Sequence, residues 1–197
     1  GKEEQIEIFA HRLGAKVEHM KLESQFRCNG SDGYLSWLDN TLQIKETANQ
    51  KLSEVNYDFQ IMNSPLELKQ AILEKNKINN RARLVAGYCW DWVSKKNNTV
   101  MDIIIPEYQF AMKWNLASDG NLWLIKPESV NEVGCIHTCQ GLEMDYVGVI
   151  VGKDLIAHEH KIVTDPSRRA KTDASLKGYK KKLKSDHWHA VVKADKI

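Results

Sequence analysis

The stretch that decides the fold is Glu132-Val133-Gly134-Cys135-Ile136-His137-Thr138-Cys139-Gln140-Gly141-Leu142-Glu143-Met144-Asp145-Tyr146-Val147-Gly148-Val149-Ile150-Val151-Gly152. Residues 133–136 and 146–151 are short apolar runs, and each predicts a buried strand. The polar loop between them contains Gly141, which lets the backbone approach a ligand closely. In open α/β sheets, ligands bind where such loops leave the carboxyl ends of strands. The local pattern fits a ligand-binding loop and a plain connecting turn about equally well.

Patterns of helices and strands alternate on both sides of this stretch. Helices are predicted over residues 3–13, over residues 31 or 32 to 42, and over residues 64–77. Strands are predicted over residues 16–22, 57–62, 83–92 and 161–164. Residues 93–131 differ, because Asp119-Gly120-Asn121 between tryptophan-containing runs predicts a hairpin; we interpret this segment as a β-rich insertion. The alternation predicts an α/β fold with a mainly parallel sheet flanked by helices.

The composition fits one globular domain. A chain of 197 residues, of which 42% are hydrophobic, can bury a core and is not disordered in composition. No apolar run reaches the length of a membrane span, and the charged start is unlike a signal peptide, so we expect a cytoplasmic protein with no membrane partner. The net charge of +2 does not by itself indicate a nucleic-acid binder. The four cysteines lack disulfide spacing and predict free thiols.

The central stretch resembles motif V of superfamily 1 helicases, in which His and Thr are followed by a variable residue and then by Gln or Lys, Gly, Leu and Glu. The segment Leu22-Glu23-Ser24-Gln25-Phe26-Arg27-Cys28 resembles motif IV, an aromatic residue followed by arginine. Three further phrases resemble the bacterial helicase-like ATPases known as domain of unknown function 2075, which are relatives of the helicase part of Schlafen proteins. They are Gln-Phe-Arg-Cys-Asn-Gly-Ser-Asp-Gly-Tyr at 25–34, Gly-Tyr-Cys-Trp-Asp-Trp at 87–92 and Thr-Asp-Pro-Ser-Arg-Arg-Ala-Lys-Thr-Asp at 164–173.

The resemblance implies the second of the two RecA-like domains found in such enzymes. The chain contains no Gly-x-x-x-x-Gly-Lys-Ser/Thr phosphate loop and no magnesium-binding Asp-Glu motif, both of which the family carries in its first domain. We therefore expect residues 1–197 to form a single RecA-like domain, cut at both ends relative to the family, with the insertion at 93–131. The implied partners are the N-terminal RecA-like domain of the same polypeptide and single-stranded DNA or RNA.

The resemblance also implies an ATP site. Arg27 would reach the γ-phosphate as a catalytic residue, where its permanent charge would stabilise the transferring group. Glu143 would accept a hydrogen bond from a ribose hydroxyl. The residues expected to bind the nucleotide are Gln25, Phe26, Gln140, Gly141 and Glu143. ATP and Mg²⁺ would be cofactors of the complete enzyme, with Mg²⁺ held by the first domain, and no cofactor is expected in this fragment.

Each of these assignments has a plainer alternative. Arg27 could be a salt-bridged surface arginine beside a core phenylalanine, and Glu143 could be a carboxylate in the first turn of a helix. Gln140 stands where many helicases have lysine, which removes a positive charge but leaves a side chain that both donates and accepts hydrogen bonds.

Four residues are candidates for contact with nucleic acid. The resemblance implies that His137 and Thr138 face the strand, although His137 could instead bond a backbone carbonyl. Arg168 and Arg169 begin a basic zone that extends to residue 184 and could follow a phosphate backbone. A solvated helix face is the usual alternative for such a run.

Two other residue groups have competing interpretations. Trp90 and Trp92 could stack on bases, but tryptophans spaced by two more often build one face of a sheet, and we favour a core role. Cys135, His137 and Cys139 would share one face of an alternating strand, which invites a zinc site. The spacing lacks Cys-x-x-Cys and no second ligand pair is convincingly placed, so no metal is expected.

The favoured interpretation is the second RecA-like domain of a superfamily-1-like, nucleic-acid-dependent ATPase, inactive as an ATPase on its own. The first alternative is a non-catalytic module that binds nucleic acid or protein. The second alternative is a metal-dependent nuclease that uses the pairs His158 with His160 and His187 with His189.

Overall fold

The structure is a computed structural model, and it describes residues 2–18, 32–48, 50–115 and 122–179. The chain divides into two compact units, Gly1–Asp58 and Phe59–Ile197. The first unit contains two helices, α1 (Lys2–Arg12) and α2 (Asp32–Thr41), which confirm the first two predicted helices. Among the helices described, none is both long enough and apolar enough to cross a membrane.

Helix α3 (Pro65–Asn79) opens the second unit and confirms the third predicted helix. Its start is fixed by local sequence, because Oγ of Ser64 accepts a hydrogen bond from the Glu67 amide at 3.1 Å and proline occupies the first turn. The helix ends at Asn79, and Asn80 caps it with a φ of 58°, in the left-handed region that asparagine tolerates.

A five-stranded sheet forms the centre of the second unit. Its strands are β1 (Ala82–Ala86), β2 (Ile103–Ile105), β3 (Phe110–Trp114), β4 (Glu132–Gly134) and β5 (Tyr146–Ile150). The spatial order is β2-β3-β4-β1-β5, and every pair is parallel except β2 with β3. The α/β class with a mainly parallel sheet is therefore confirmed. Strands β4 and β5 lie on opposite sides of β1, with Leu84 opposite both Val133 and Gly148.

The segment 93–131 contributes β2 and β3 to this sheet, as an antiparallel hairpin that the sequence analysis missed. The turn between them is the 3₁₀ segment Pro106–Tyr108. Buried Asp102 fastens the hairpin, since its two carboxylate oxygens accept hydrogen bonds from the amides of Ser94 at 2.7 Å and Trp114 at 2.9 Å. The hairpin predicted around Asp119-Gly120-Asn121 lies outside the described residues.

Several predicted strands differ from the structure. Strand β1 ends at Ala86 instead of Trp92, and β4 ends at Gly134, after which the one-turn helix α4 (Ile136–Cys139) begins. Each strand ends where its pairing with the neighbouring strand ends: β1 at the pair of Ala86 with Ile150, and β4 at the pair of Val85 with Gly134. The strand predicted at 57–62 is wrong: within the described ranges no strand pairs with it, and an alternating pattern without a partner gives no sheet. Of the strand predicted at 16–22, residues 16–18 are irregular and residues 19–22 are not described.

After β5, the chain forms a separate two-stranded hairpin of β6 (Leu155–His158) and β7 (Lys161–Thr164). Glu159 and His160 make its turn with φ of 47° and 62°, the pair of positive values that a type I′ turn requires. The strand predicted at 161–164 is confirmed, and the 3₁₀ segment Pro166–Arg168 follows it.

The core lies between α3 and the sheet and includes Trp114, with Trp90 and Trp92 packed against it. Trp114 is completely buried, and its indole N–H donates to the carbonyl of Trp90 at 3.2 Å. Trp90 and Trp92 are half-buried and pack against the same cluster, with the rings of Trp92 and Trp114 centred 6.1 Å apart. The predicted packing of Trp90 and Trp92 against the core is confirmed, but both residues lie beyond the end of β1 and not on a sheet face.

Candidate functional site

The connection from β4 to β5 carries most of the predicted site residues in the second unit. It starts at the carboxyl end of β4, where the amide of Cys135 donates to Oδ1 of Asn115 at 3.3 Å. It finishes at the amino end of β1, where the amide of Asp145 donates to the carbonyl of Arg81 at 2.9 Å. Because β4 and β5 are both parallel to β1, the chain must return along the sheet before β5 can start.

This path corrects one expectation about the loop. Cys135 lies at the carboxyl edge of the sheet, as predicted, but Glu143 and Asp145 lie at the amino edge, next to Arg81. The helix-turn alternative for Glu143 is also wrong, since α4 ends at Cys139 and residues 142–144 are irregular.

The turn at 140–143 is open to solvent. Gly141 has a φ of 83°, which L-residues rarely adopt, and a Cβ placed on it would have no atom within 4 Å. Gln140 is exposed, and the side chain of Glu143 is 93% exposed. The turn therefore offers backbone groups, an amide and a carboxylate to a ligand.

Arg81 ties this turn to the start of β1. Its Nη2 donates to the carbonyl of Glu143 at 3.2 Å and lies 3.8 Å from Oε2 of the same residue. Its Nε lies 3.2 Å from Oδ1 of Asp145. Asn79 supports the arrangement from both sides, because its amide donates to Asp145 and its Oδ1 accepts from the Arg81 backbone at 3.2 Å. The sequence analysis gave Arg81 and Asn79 no role.

A shallow depression of about 360 Å³ lies at this point. Its volume is within the range of small-molecule sites, roughly 300–1,000 Å³. The residues that line it are Asn79, Asn80, Arg81, Leu124, Ile125 and Glu143. Glu143 is the member of this set that the sequence analysis predicted; the others come from distant parts of the chain, so no local pattern groups them.

The residues of α4 lie at the other end of the connection. Thr138 is half-buried, with Oγ1 3.4 Å from Sγ of Cys135. His137 belongs to the helix, but its side chain is not described. Cys135 precedes α4 and Cys139 is its last residue, so the two do not lie on one face of an alternating strand, which the zinc interpretation assumed. In the described part of the chain, no three His, Cys, Asp or Glu side chains are grouped to hold a metal ion.

Arg168 and Arg169 both face carboxylates. Nε of exposed Arg168 lies 3.5 Å from Asp165, and Nε of half-buried Arg169 lies 2.9 Å from Asp173 and 3.8 Å from Asp154. Their charges are largely compensated within the domain. Residues 180–184 of the basic zone lie outside the described residues, and so do Gln25, Phe26 and Arg27.

Two stretches that the sequence analysis quoted separately meet at the carboxyl ends of β1 and β5. The amide of Ala170 donates to the carbonyl of Tyr88 at 2.9 Å. The amide and hydroxyl of Thr172 both donate to Oδ1 of Asp91, at 3.2 and 3.1 Å. These hydrogen bonds hold segment 164–173 against segment 87–92. The chain's own polar contacts therefore occupy the carboxyl edge of the sheet, where α/β proteins often bind ligands.

Cys89 lies in the same contact. Its Sγ donates to Oδ1 of Asp154 at 2.8 Å. Burial, and next the hydrogen bond to the Asp154 carboxylate, raise the pKa of the Cys89 thiol to about 12. Burial likewise raises the pKa of Cys139 to about 12. Neither thiol is a reactive thiolate near neutral pH.

Comparison with known proteins identifies the family. Residues 1–195 match the family described as Schlafen group 3, DNA/RNA helicase domain. Uncharacterized protein YPL245W of Saccharomyces cerevisiae (strain ATCC 204508 / S288c) is 22% identical over 150 residues, which cover 68% of this chain and 32% of that protein. The chain thus spans about a third of the length of this relative. No solved structure matches. Because the family match covers nearly every residue, the chain belongs to the Schlafen group 3 DNA/RNA helicase domain family.

Proposed function

We propose that the chain is the second RecA-like domain of a superfamily-1-like, nucleic-acid-dependent ATPase. The observation that carries the proposal is the exposed turn at 140–143. It presents the end of a motif V-like loop to solvent in a mainly parallel α/β domain that matches a helicase family over residues 1–195. In the complete enzyme, ATP would be held mainly by an N-terminal RecA-like domain of the same polypeptide, together with Mg²⁺.

Glu143 is the nucleotide-binding residue that the described geometry supports best. Its carboxylate is nearly fully exposed and keeps free acceptor capacity, since its partner Arg81 is as far as 3.8 Å. A ribose hydroxyl can donate to such a carboxylate, and a hydrogen bond to a charged group contributes about 1.5–3 kcal/mol. The left-handed φ of Gly141 exposes the backbone beside Gln140, so that a ligand can approach it closely.

Arg27 is proposed as the catalytic arginine, with Gln25 and Phe26 beside the base. The support for these three is the motif IV resemblance. Phosphoryl transfer depends mainly on positioning and on neutralising charge, and a guanidinium supplies a fixed charge with a planar set of donors.

Single-stranded DNA or RNA is proposed as the partner of His137 and Thr138. The support is that α4, which carries His137 and Thr138, and Glu143 belong to one short connection between β4 and β5. A movement of α4 on binding a strand can therefore be transmitted to Glu143. Arg168 and Arg169 are secondary candidates, since a phosphate would have to compete with Asp165, Asp154 and Asp173.

The test compares ATP turnover by the 197-residue chain with turnover by the full-length protein from the same gene, each with and without single-stranded DNA and RNA. We expect no turnover from the 197-residue chain, and turnover from the full-length protein that rises with one of the nucleic acids. Turnover by the short chain, or none by the full-length protein with either strand, would contradict the proposal.

A further inference from the structure

Segment 164–173, which we call the strap, is held on the sheet edge by hydrogen bonds and by little apolar burial. Ala170 is the one fully buried residue of this segment, and its amide donates to the carbonyl of Tyr88. The amide and the hydroxyl of Thr172 donate to Asp91, and the same hydroxyl lies 3.1 Å from the phenol oxygen of Tyr88. Each such bond stabilises only modestly, and ordering the backbone costs entropy, so the strap can open while the sheet stays folded.

The two halves of the strap are attached to different elements. At its start, the amide of Asp165 donates to the carbonyl of Asp154 at 2.7 Å, which continues the pairing at the base of the β6–β7 hairpin. Further along, Nε of Arg169 lies 2.9 Å from Asp173 within the strap and 3.8 Å from the Asp154 carboxylate. The hydrogen bonds to segment 87–92 are therefore the attachment that can break while the start of the strap stays in place.

Segment 87–92 forms a layer between the strap and the buried end of β3. On one side, Tyr88 and Asp91 make the contacts to the strap. On the other side, the carbonyl of Trp90 accepts from the Trp114 indole at 3.2 Å, and the rings of Tyr88 and Trp114 are centred 5.6 Å apart. Tyr88 therefore contacts both the strap and the end of β3.

The residue after Trp114 fixes the start of α4. Asn115 is buried, its amide donates to the carbonyl of Val133 at 2.9 Å, and its Oδ1 accepts from the Cys135 amide at 3.3 Å. Cys135 is the N-cap residue of α4, and its side chain makes no capping hydrogen bond, so the bond to Asn115 holds the start of this helix. A continuous series of contacts thus joins the strap to α4.

We infer that the strap is a conformational lock on α4. When closed, it holds segment 87–92 against Trp114 and keeps α4 in the position that binds a nucleic-acid strand; when open, it releases that position. The inference rests on the proposed function for the identity of the ligand. It assigns Thr172 and Asp91 as positioning residues, which act through the layer between them and β3 and do not touch the strand.

Two variants at one position separate the lock from a change in surface shape. Thr172→Asp would place a second carboxylate beside Asp91 and open the strap by like-charge repulsion, whereas Thr172→Asn can still donate to Asp91. Thr99→Asp is the matched control, because it adds the same charge at an exposed site where the hydroxyl bonds nearby Asn97. Thr172 is itself exposed, so none of these changes removes a buried group.

Amide hydrogen exchange of the 197-residue chain, followed by NMR, tests the lock. We expect the Ala170 amide to exchange about tenfold faster in Thr172→Asp than in Thr172→Asn, while the amides of β1 are unchanged. Thr172→Asp should also shift the amide resonances of Cys135 and Thr138, which Thr99→Asp should leave in place. Equal Ala170 exchange in the two Thr172 variants, or an open strap with Cys135 and Thr138 resonances like those of the parent, would overturn the inference.

Binding of a single-stranded oligonucleotide separates this inference from the proposed function. Thr172→Asp should bind the strand about tenfold more weakly than Thr99→Asp, the factor expected if the strap is open in about nine molecules of ten. The difference should persist at raised salt, which screens the added charge itself.

The two proposals fail separately. A strand that binds Thr172→Asp and Thr99→Asp equally, although the strap of the first is open, refutes the lock and leaves the proposed function standing. If Thr172→Asp weakens strand binding as stated but the full-length protein has no ATPase activity, the proposed function fails and the lock stands.

Discussion

Arg83 is a fully buried cation that no sequence motif identifies. Its guanidinium donates to Oγ of Ser129 at 3.0 Å, to Oδ1 of Asn76 at 2.6 Å and to the carbonyl of Leu124 at 2.8 Å. Burial lowers the pKa of Arg83, and the nearby charge of Glu132 opposes that shift. The acceptors are mostly backbone and amide oxygens, which stay in place if the arginine is removed.

Replacing Arg83 with leucine should therefore destabilise the protein strongly. Several buried acceptors would lose their donor at once, and each unsatisfied group costs about 1–3 kcal/mol, so the free energy of unfolding should fall by about 3 kcal/mol or more. Urea unfolding measures this change, with Lys77→Gln as a surface control expected within about 0.5 kcal/mol of the parent. A leucine variant as stable as the control would show that the guanidinium network contributes little.

The thiols of Cys89 and Cys139 should resist alkylation. Both have folded-state pKa values raised to about 12, so folding favours the protonated form. This contribution to stability is complete below the unfolded pKa near 9 and is lost as pH rises from there towards 12. At pH 8.5, iodoacetamide should modify both residues far more slowly in the folded chain than in urea, as followed by peptide mass spectrometry. Equal rates in the two states would contradict the burial of these groups.

Gly148 sets the distance between α3 and β5. A Cβ at this position would lie 2.9 Å from Ile72 and 3.1 Å from Leu68, both on α3, and 2.8 Å from Leu84 on β1. A Cβ added to Gly87, just past the end of β1, would make only an ordinary contact of 3.8 Å with Oδ1 of Asp154. The sequence does not distinguish Gly148 from Gly87, whereas the packing around each of them does.

Gly148→Ala should accordingly lower the free energy of unfolding by about 1–3 kcal/mol through overpacking. Gly87→Ala is the matched control and should change it by less than about 0.5 kcal/mol. Thermal or urea unfolding of the two variants decides the matter. If Gly148→Ala is as stable as Gly87→Ala, helix α3 is not held against β5 as closely as these distances state.

Helices and strands marked by a capping residue or a β-branched run could be predicted from the sequence. Strand ends that depend on pairing with a neighbouring strand could not. The cap at Ser64 and the β-branched run of β5 are local, and both predictions are confirmed. The ends of β1 and β4 depend on their neighbours' ladders, which a single sequence does not show. Strand β2 was missed because its short isoleucine run stops at Pro106, and the β2–β3 turn lacks the Asn-Gly type of signal.

The same division applies to the candidate site. The motif V resemblance located Glu143 and Gly141, whose exposed turn the structure contains. It could not locate Arg81, Leu124 or Ile125, because the reversal of the chain between β4 and β5 brings them together across the sequence. The same reversal places Glu143 at the amino edge of the sheet, while the carboxyl ends of β1 and β5 are fastened by segment 164–173.

At the scale of the whole molecule, we propose that the turn at 140–143 binds ATP in a helicase-like ATPase. The most direct measurement is the KM for ATP of the full-length protein carrying Glu143→Ala, in the presence of single-stranded nucleic acid. Glu74→Ala, which removes another exposed carboxylate paired with a cation, is the matched control. We predict that Glu143→Ala raises the KM about tenfold while Glu74→Ala leaves it unchanged. A KM for Glu143→Ala equal to that of the control would contradict the claim.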